Sequence, residues 1–202
     1  VGIDLSQMTP PHQHDGRLLF IGRLVDKKGV DILLAAMRCL QNAQSGKMSS
    51  WKSPGLDIAG AGPLEGVLRS QAADLPSVRF LGWQTPQQLA SIMRRAQAVV
   101  VPSRIAADGD CEGLPTVVLE SIRAGLPVVA TNHAGIPEII RDQKTGFLVP
   151  ENDPDALASA LLAVMQTGDH IQQMAANAQA RLQKNFNAAT QSKKLQRILL
   201  GS

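Results

Sequence analysis

The sequence contains no tyrosine, and its aromatic residues are 4 phenylalanines and 2 tryptophans, 3% of the chain. That leaves few stacking platforms of the kind that single-stranded nucleic-acid binders use. Charge is nearly balanced: 20 lysines and arginines face 17 acidic residues, a formal +3, too weak an excess to mark a nucleic-acid protein. Nucleic acid is therefore not an expected partner. The two cysteines, Cys39 and Cys111, make neither a disulfide framework nor a zinc site by spacing, and read as reduced thiols of a cytosolic protein. Long hydrophobic runs are missing. The longest are short blocks such as Ala98 to Pro102, which cannot span a bilayer. No basic-then-apolar leader opens the chain, so no secretory signal is expected and the expected location is cytoplasmic. Glycine at 17 and proline at 12 are too few for a collagenous or low-complexity chain. What remains is 202 residues, 44% apolar and 18% charged, enough for one good core or two small ones.

The order of apolar runs and glycine punctuation sets the architecture. Residues 1–16 carry Pro10, Pro11, His12 and His14 without periodicity, and read as a linker or a strand leading in. Arg17 to Gly22 is a short apolar run closed by glycine, a buried strand. Within Gly29 to Ala43, Val30, Leu33, Leu34, Met37 and Leu40 form a helical stripe, followed by a polar loop from Gln44 to Pro54. Further strands are expected at Leu56 to Gly60, Val78 to Gly82, Ala98 to Ser103, Leu126 to Ala130 and Phe147 to Val149. Helices are expected at Gly62 to Ala73, Pro86 to Ala96, Pro115 to Gly125 and Ile136 to Arg141. Three more follow, at Pro154 to Gln166, Asp169 to Lys184 and Ala188 to Leu200. Continuously apolar strands alternating with amphipathic helices require a parallel sheet covered on both faces. The expected fold is α/β: a Rossmann-like six-stranded parallel sheet with helices on both faces and a helical C-terminal tail.

In such sheets ligands bind beyond the carboxyl ends of the strands. The residues there are Gly22 to Gly29, Gly60 to Pro63, Gly82 to Thr85, Ser103 to Thr116, Thr131 to Gly135, and Pro150 with Glu151. Cationic, glycine and carboxylate groups share this one edge, which suits an anionic, hydroxyl-bearing ligand.

Arg23 and Lys28, five residues apart, flank the turn after the first strand. A guanidinium fork and a compact ammonium can together grip a diphosphate; equally, they can be solvated surface charges. Lys27 is read as the solvent-facing lysine. Gly60-Ala61-Gly62-Pro63 is not a dinucleotide fingerprint, because the next glycine, Gly66, makes the spacing one residue too long and the run follows the second strand. It reads as a tight turn that lets backbone approach a ligand or a neighbouring loop. Asp108 and Asp110 form a D-x-D pair without a third ligand nearby, so the loop is read as solvated or as shaping the site, with no metal. Cys111 lacks a histidine with an orienting partner and reads as packing or loop filler. Of the histidines, only His133 sits at a strand end.

The strongest local signal is Glu112-Gly-Leu-Pro-Thr-Val-Val-Leu-Glu120. Pro115 fits the first turn of a helix, and the N–H groups of Gly113, Leu114 and Thr116, with the helix dipole, favour a phosphate. Glu112 and Glu120 beside such a site would accept hydrogen bonds from hydroxyls. The plainer alternatives are an ordinary helix carboxylate for Glu120 and a helix-dipole partner for Glu112.

The spacing E-x(7)-E after the fourth strand, with G-R-x(4)-K-G after the first, resembles the donor domain of retaining GT-B glycosyltransferases of the glycogen-synthase-like group. GAGP, VRFLGW, EGLPTVVLESIRAGLPVVAT, AGIPEII and TGFLVPENDPDALASAL match as well, over about Gly2 to Gln183. The stretch DGDCEGLPTVVLE particularly resembles exopolysaccharide enzymes of the colanic-acid and amylovoran kind. The resemblance implies that Arg23 and Lys28, next to Gly22, bind the pyrophosphate. By the same likeness Glu112 contacts the donor sugar, Glu120 the ribose, the amides of Gly113, Leu114 and Thr116 a phosphate, and the turn at Gln84 the base. Arg23, Lys28 and Glu112 are the implied catalytic residues. Leu114-Pro115 replaces the family's usual F-G, which removes one amide donor. No cofactor and no metal are implied; the donor is a nucleoside diphosphate sugar of UDP or GDP type.

VGIDLSQM resembles the segment after an amino-terminal acceptor domain. The expected division is therefore a linker at 1–16, a donor-binding domain at 17–185 and a C-terminal helix at 186–202, with acceptor-binding residues in a domain outside the chain. This piece alone is expected not to transfer sugar. The closing helix would lean toward that domain with Leu195, Ile198, Leu199 and Leu200 poorly buried. The acceptor would be a glycan or a lipid-linked sugar, with peripheral membrane association open for the full-length enzyme. The competing readings are a nucleotide-sugar epimerase or hydrolase of the same fold, for which only Glu112 and His133 offer acid or base groups, and a non-catalytic nucleotide-binding module.

Overall fold

A computed structural model of the chain describes residues 15–47, 53–166 and 168–186. The leading segment with His12 and His14, and the expected helix Ala188 to Leu200, lie outside the described residues. The strands are β1 (Arg17–Ile21), β2 (Gly55–Ala59), β3 (Val78–Gly82), β4 (Ala96–Val101), β5 (Val128–Thr131) and β6 (Phe147–Val149). The helices are α1 (Val30–Lys47), α2 (Glu65–Gln71), α3 (Pro86–Met93), α4 (Thr116–Arg123), α5 (Ile136–Ile139), α6 (Pro154–Met165) and α7 (Asp169–Phe186). All strand pairs are parallel, in the order β3-β2-β1-β4-β5-β6.

The strands read as continuous apolar runs because both faces of the sheet are covered. Side chains alternate across the pleat. Leu18, Phe20, Leu56, Ile58, Ala98 and Val100 pack with α1, α2 and α6, whereas Leu19, Ala59, Val99, Val101 and Val128 pack with α3, α4 and α5. Helix α7 serves both sides: Ile171 and Met174 join the first core, Ala178 and Leu182 the second. A charge inside β2, Asp57, is tolerated because Arg17 pairs with it at 2.6 Å at the amino ends of the strands, far along the sheet from the loops discussed below.

Helix α1 runs on to Lys47, into the expected polar loop from Gln44 to Pro54, because Ala43, Gln44 and Lys47 are good helix formers. Several other boundaries shift by a few residues, two of them for a packing reason. Strand β4 begins at Ala96 and α3 ends at Met93, because Ala96 pairs in register with Arg17 and Gln97 is buried within the sheet. Helix α2 begins at Glu65 rather than Gly62, since the glycine turn is committed to the neighbouring loop. Leu24 N–H donates to the Ala61 carbonyl at 3.0 Å, and Leu64 N–H to the Leu24 carbonyl at 3.1 Å. A Cβ on Gly60 would sit 1.8 Å from the Gly22 carbonyl oxygen, so only glycine allows the two loops to meet.

Candidate functional site

The chain builds outward from β1 to β3, returns to the centre, and builds outward again from β4 to β6. The loops leaving β1 and β4 therefore diverge and open a crevice at the carboxyl ends of the strands, where this topology binds ligands. The β1 loop ends in a 3-10 turn, Asp26–Lys28, closed by Gly29 at φ +60. Gly29 presses on the end of β4, so closely that a Cβ there would lie 2.0 Å from the Pro102 carbonyl oxygen. That contact delivers Lys28 to the β4 loop. Lys28 Nζ lies 2.7 Å from the Glu112 carboxylate, with the side chains only 15% and 16% exposed. The Ser103 hydroxyl donates to the other Glu112 oxygen at 3.4 Å.

Beside this pair lies a cleft of about 250 Å³. Its polar rim comprises Lys28, Gln84, Thr116 and Glu120, and Ile21, Leu89 and Val117 supply its apolar lining. Trp83, 72% exposed, lines both this cleft and a more open hollow that also shares Gly22 and Gln84 and adds Arg23 and Gly60. The Gln84 amide nitrogen donates to the Leu81 carbonyl at 2.6 Å, which folds the side chain onto its own strand end. Helix α4 starts at Thr116, with Pro115 as its extended N-cap and no side-chain cap. The first N–H groups of a helix lack intrahelical acceptors, and Thr116 and Val117, which carry two of them, both line the cleft. An anion placed there is favoured by those donors and by the helix dipole.

This geometry alters the expected phosphate cradle. Pro115 lies at the cap instead of in the first turn, so Gly113 and Leu114 fall outside the helix and do not line the cleft. The Gly113 carbonyl accepts the Gly135 N–H at 2.9 Å, and Leu114 packs against the second core. Thr116 stays at the cleft, and Val117, which the motif alone did not single out, joins it. Arg23 is exposed and belongs to the outer hollow, whereas Lys28 belongs to both the cleft and the Glu112 pair. Lys27, read as the solvent-facing lysine, is the more exposed of the two, yet it is paired with Asp110 at 2.8 Å. The D-x-D residues are used within their loop: Asp108 accepts the Asp110 N–H at 3.0 Å, and Asp110 holds Lys27. Cys111 is exposed rather than packed.

Sequence reasoning missed how the β4–α4 loop is anchored. Arg104 binds the Asp26 carboxylate and lies 3.0 Å from Asp31. The Ile105 N–H donates to Glu151 at 3.0 Å, and Glu151 also meets Nδ1 of buried His133 at 2.6 Å. His133 Nε2 is buried without a partner. Burial raises the Glu151 carboxyl, but its bonds with His133 and the Ile105 N–H outweigh burial and hold it below the ordinary 4.5. The N–H of Ala107, then the hydrogen bond from Arg104, hold the Asp26 carboxyl below its ordinary 3.8. A depressed carboxyl contributes stability above its unfolded-state value and loses it as pH falls through the folded-state value. The stability difference between the parent and Asp26→Asn is therefore expected to be constant near neutral pH and to close only below 3.8. Urea unfolding of both proteins over a pH series measures it. A difference unchanged far below that pH would mean that the Asp26 charge does not hold the loop.

The glycosyl transferases group 1 family model matches residues 15–167. The chain is 34% identical over 186 residues to AmsK of Erwinia amylovora, named for amylovoran biosynthesis, covering 91% of this chain and 44% of that protein. It is 31% identical over 209 residues to WcaL of Escherichia coli, named for colanic acid biosynthesis, covering 98% of this chain and 49% of that protein. The chain thus spans less than half the length of either relative. Among solved structures, HepE of Anabaena in complex with UDP superposes with a TM-score of 0.75 at 21% identity, over 94% of this chain and 50% of that one. That likeness is one of fold.

Proposed function

The chain belongs to the glycosyl transferases group 1 family, and on that premise we propose that it binds a nucleoside diphosphate sugar, of UDP or GDP type, for retaining hexosyl transfer to a glycan or lipid-linked acceptor. The observation that carries this reading is the meeting of Lys28, Glu112, Thr116 and Glu120 at the crevice where the strand order reverses. Lys28, with Arg23 at the outer rim, takes the diphosphate, and the amides opening α4 add to it. As the bond between the sugar and the diphosphate breaks, negative charge grows on the leaving oxygen. Groups already fixed around that oxygen stabilise it without reorganising, and this is the main source of rate enhancement in such a site. Cations and amides take up that charge, and in this proposal the reaction needs no metal. Glu120, on the cleft wall, accepts from the ribose hydroxyls, and Glu112 from the sugar hydroxyls.

The names of AmsK and WcaL support polysaccharide biosynthesis as the setting, and the UDP complex of HepE supports a UDP-type donor. Both relatives are more than twice as long as this chain, which supports an acceptor-binding domain elsewhere in the full-length enzyme. Such a domain would hold the acceptor against the donor in near-attack geometry and exclude water. No helix among the described residues is long and apolar enough to cross a membrane; a cytoplasmic enzyme working at the membrane face is part of this proposal.

The two carboxylates separate the roles. Glu120→Gln is expected to weaken binding of bare UDP or GDP as well as of the sugar nucleotide, because its partner is the ribose. Glu112→Gln is expected to spare bare nucleotide and weaken the sugar nucleotide alone. Titration calorimetry of both variants with UDP, GDP, UDP-glucose and GDP-mannose reads this. Equal losses with both ligand classes in both variants would refute the assignment.

A further inference from the structure

Three consecutive side chains of the 3-10 turn hold three successive points of the β4–α4 loop. Asp26 takes Arg104 and the Ala107 N–H, the latter at 2.9 Å; Lys27 takes Asp110 at 2.8 Å; Lys28 takes Glu112 at 2.7 Å. The backbone joins in, since the Arg104 N–H donates to the Lys27 carbonyl at 2.9 Å. The order of contacts ascends along both segments, so the turn acts as a template for the loop. We propose that Asp110, paired with Lys27, is a positioning residue that keeps Glu112 over the donor sugar once the diphosphate has taken Lys28.

The inference rests on the donor-site reading above. On that reading Lys28 has two anionic partners, the Glu112 carboxylate and the donor diphosphate. The diphosphate carries more charge, so on binding it draws Lys28 away from Glu112. Glu112 then loses its tether at the step in which its carboxylate must find the sugar hydroxyls. Asp110 lies two residues earlier, a span of no more than about 7 Å of extended chain. With Asp110 still on Lys27, Glu112 cannot leave the crevice and has only to turn its side chain. The Asp110 side chain is 57% exposed and Lys27 25%. An ion pair this exposed contributes little to folding, which leaves alignment as the effect to measure. The D-x-D motif thereby acquires a use that involves no metal: Asp108 shapes the turn through the Asp110 N–H, and Asp110 holds the loop.

The test compares bare nucleotide with sugar nucleotide, using this chain with UDP against UDP-glucose and GDP against GDP-mannose, by titration calorimetry. Asp110→Asn and Lys27→Met are each expected to weaken the sugar nucleotide by about threefold to fivefold. Bare diphosphate affinity should stay within about twofold of the parent. Asp110→Glu, which keeps the charge, is expected to restore the sugar nucleotide. Loss of a distant negative charge would tighten both ligands, and a disordered loop would loosen both. Either result, or no change in the sugar nucleotide, overturns the positioning role. Failure of the site reading looks different: there Lys28→Ala binds both ligands as the parent does, or the parent binds neither, and the inference falls with it.

Discussion

Lys28→Ala is expected to raise the dissociation constant for UDP or GDP by an amount equivalent to ~1.5–3 kcal/mol, the worth of a hydrogen bond to a charged group. That is roughly a tenfold to hundredfold loss. The upper end is expected, because two effects act in the same direction. The ammonium that would bind the diphosphate is gone, and Glu112, 2.7 Å away in the parent, is left facing the incoming phosphate without its cation. Like charges in a half-buried crevice repel more strongly than in open water. Arg23→Ala should cost less, since Arg23 is exposed at the rim of the outer hollow. The coupling is itself measurable. In Lys28→Ala combined with Glu112→Gln, the second change removes the repulsion created by the first, so the double variant should bind better than the sum of the single losses predicts. Additive effects would show that Glu112 does not repel the phosphate that Lys28 binds, and Lys28→Ala binding like the parent would leave Lys28 as a partner of Glu112 alone.

The layout of the sheet was legible in the sequence because each strand is short, apolar on both faces and closed by glycine or a turn, and each helix carries its own stripe. Boundaries slipped where a tertiary contact overrode the local pattern. Ala96 looks like the end of a helix, yet it opens β4 and is buried there. Gly62-Pro63 looks like a helix start, yet it is tied to Leu24. The site divides in the same way. Lys28, Thr116, Glu120 and Gln84 could be placed together from the rule that strand ends converge, and they do line one cleft. Their partners could not. Lys27 and Asp110 are separated by 83 positions, and Arg104 and Asp26 by 78. No periodicity connects residues so far apart; only the reversal of strand order between β1 and β4 brings their loops into contact. His133 and Glu151 were each recognisable as strand-end residues, but the N–H of Ile105 that completes their link to the loop belongs to a backbone group with no sequence signal.

The contact that makes the crevice is sensitive to a change as small as one methyl group. Gly29→Ala is expected to destabilise the chain by about 2–4 kcal/mol, in the range reserved for substitutions that break a specific backbone feature. An L-residue at φ +60 costs about 1 kcal/mol or slightly more. The larger share comes from the collision: the new methyl would lie 2.0 Å from the Pro102 carbonyl oxygen, a backbone atom that cannot rotate aside. Gly16 supplies the control. Its φ is +69, close to that of Gly29, but a Cβ there meets nothing within 4 Å, so Gly16→Ala carries the backbone strain without the collision. The difference between the two variants in urea unfolding isolates the packing of the turn against β4. Function should follow the same difference. Relief of the collision moves Asp26, Lys27 and Lys28 away from the β4 loop together, so Gly29→Ala should also lose nucleotide affinity at temperatures where it is still folded, and Gly16→Ala should not. If Gly29→Ala were no less stable than Gly16→Ala and bound UDP equally well, the turn would not be seated on β4, and the delivery of Lys28 to Glu112 would need another cause.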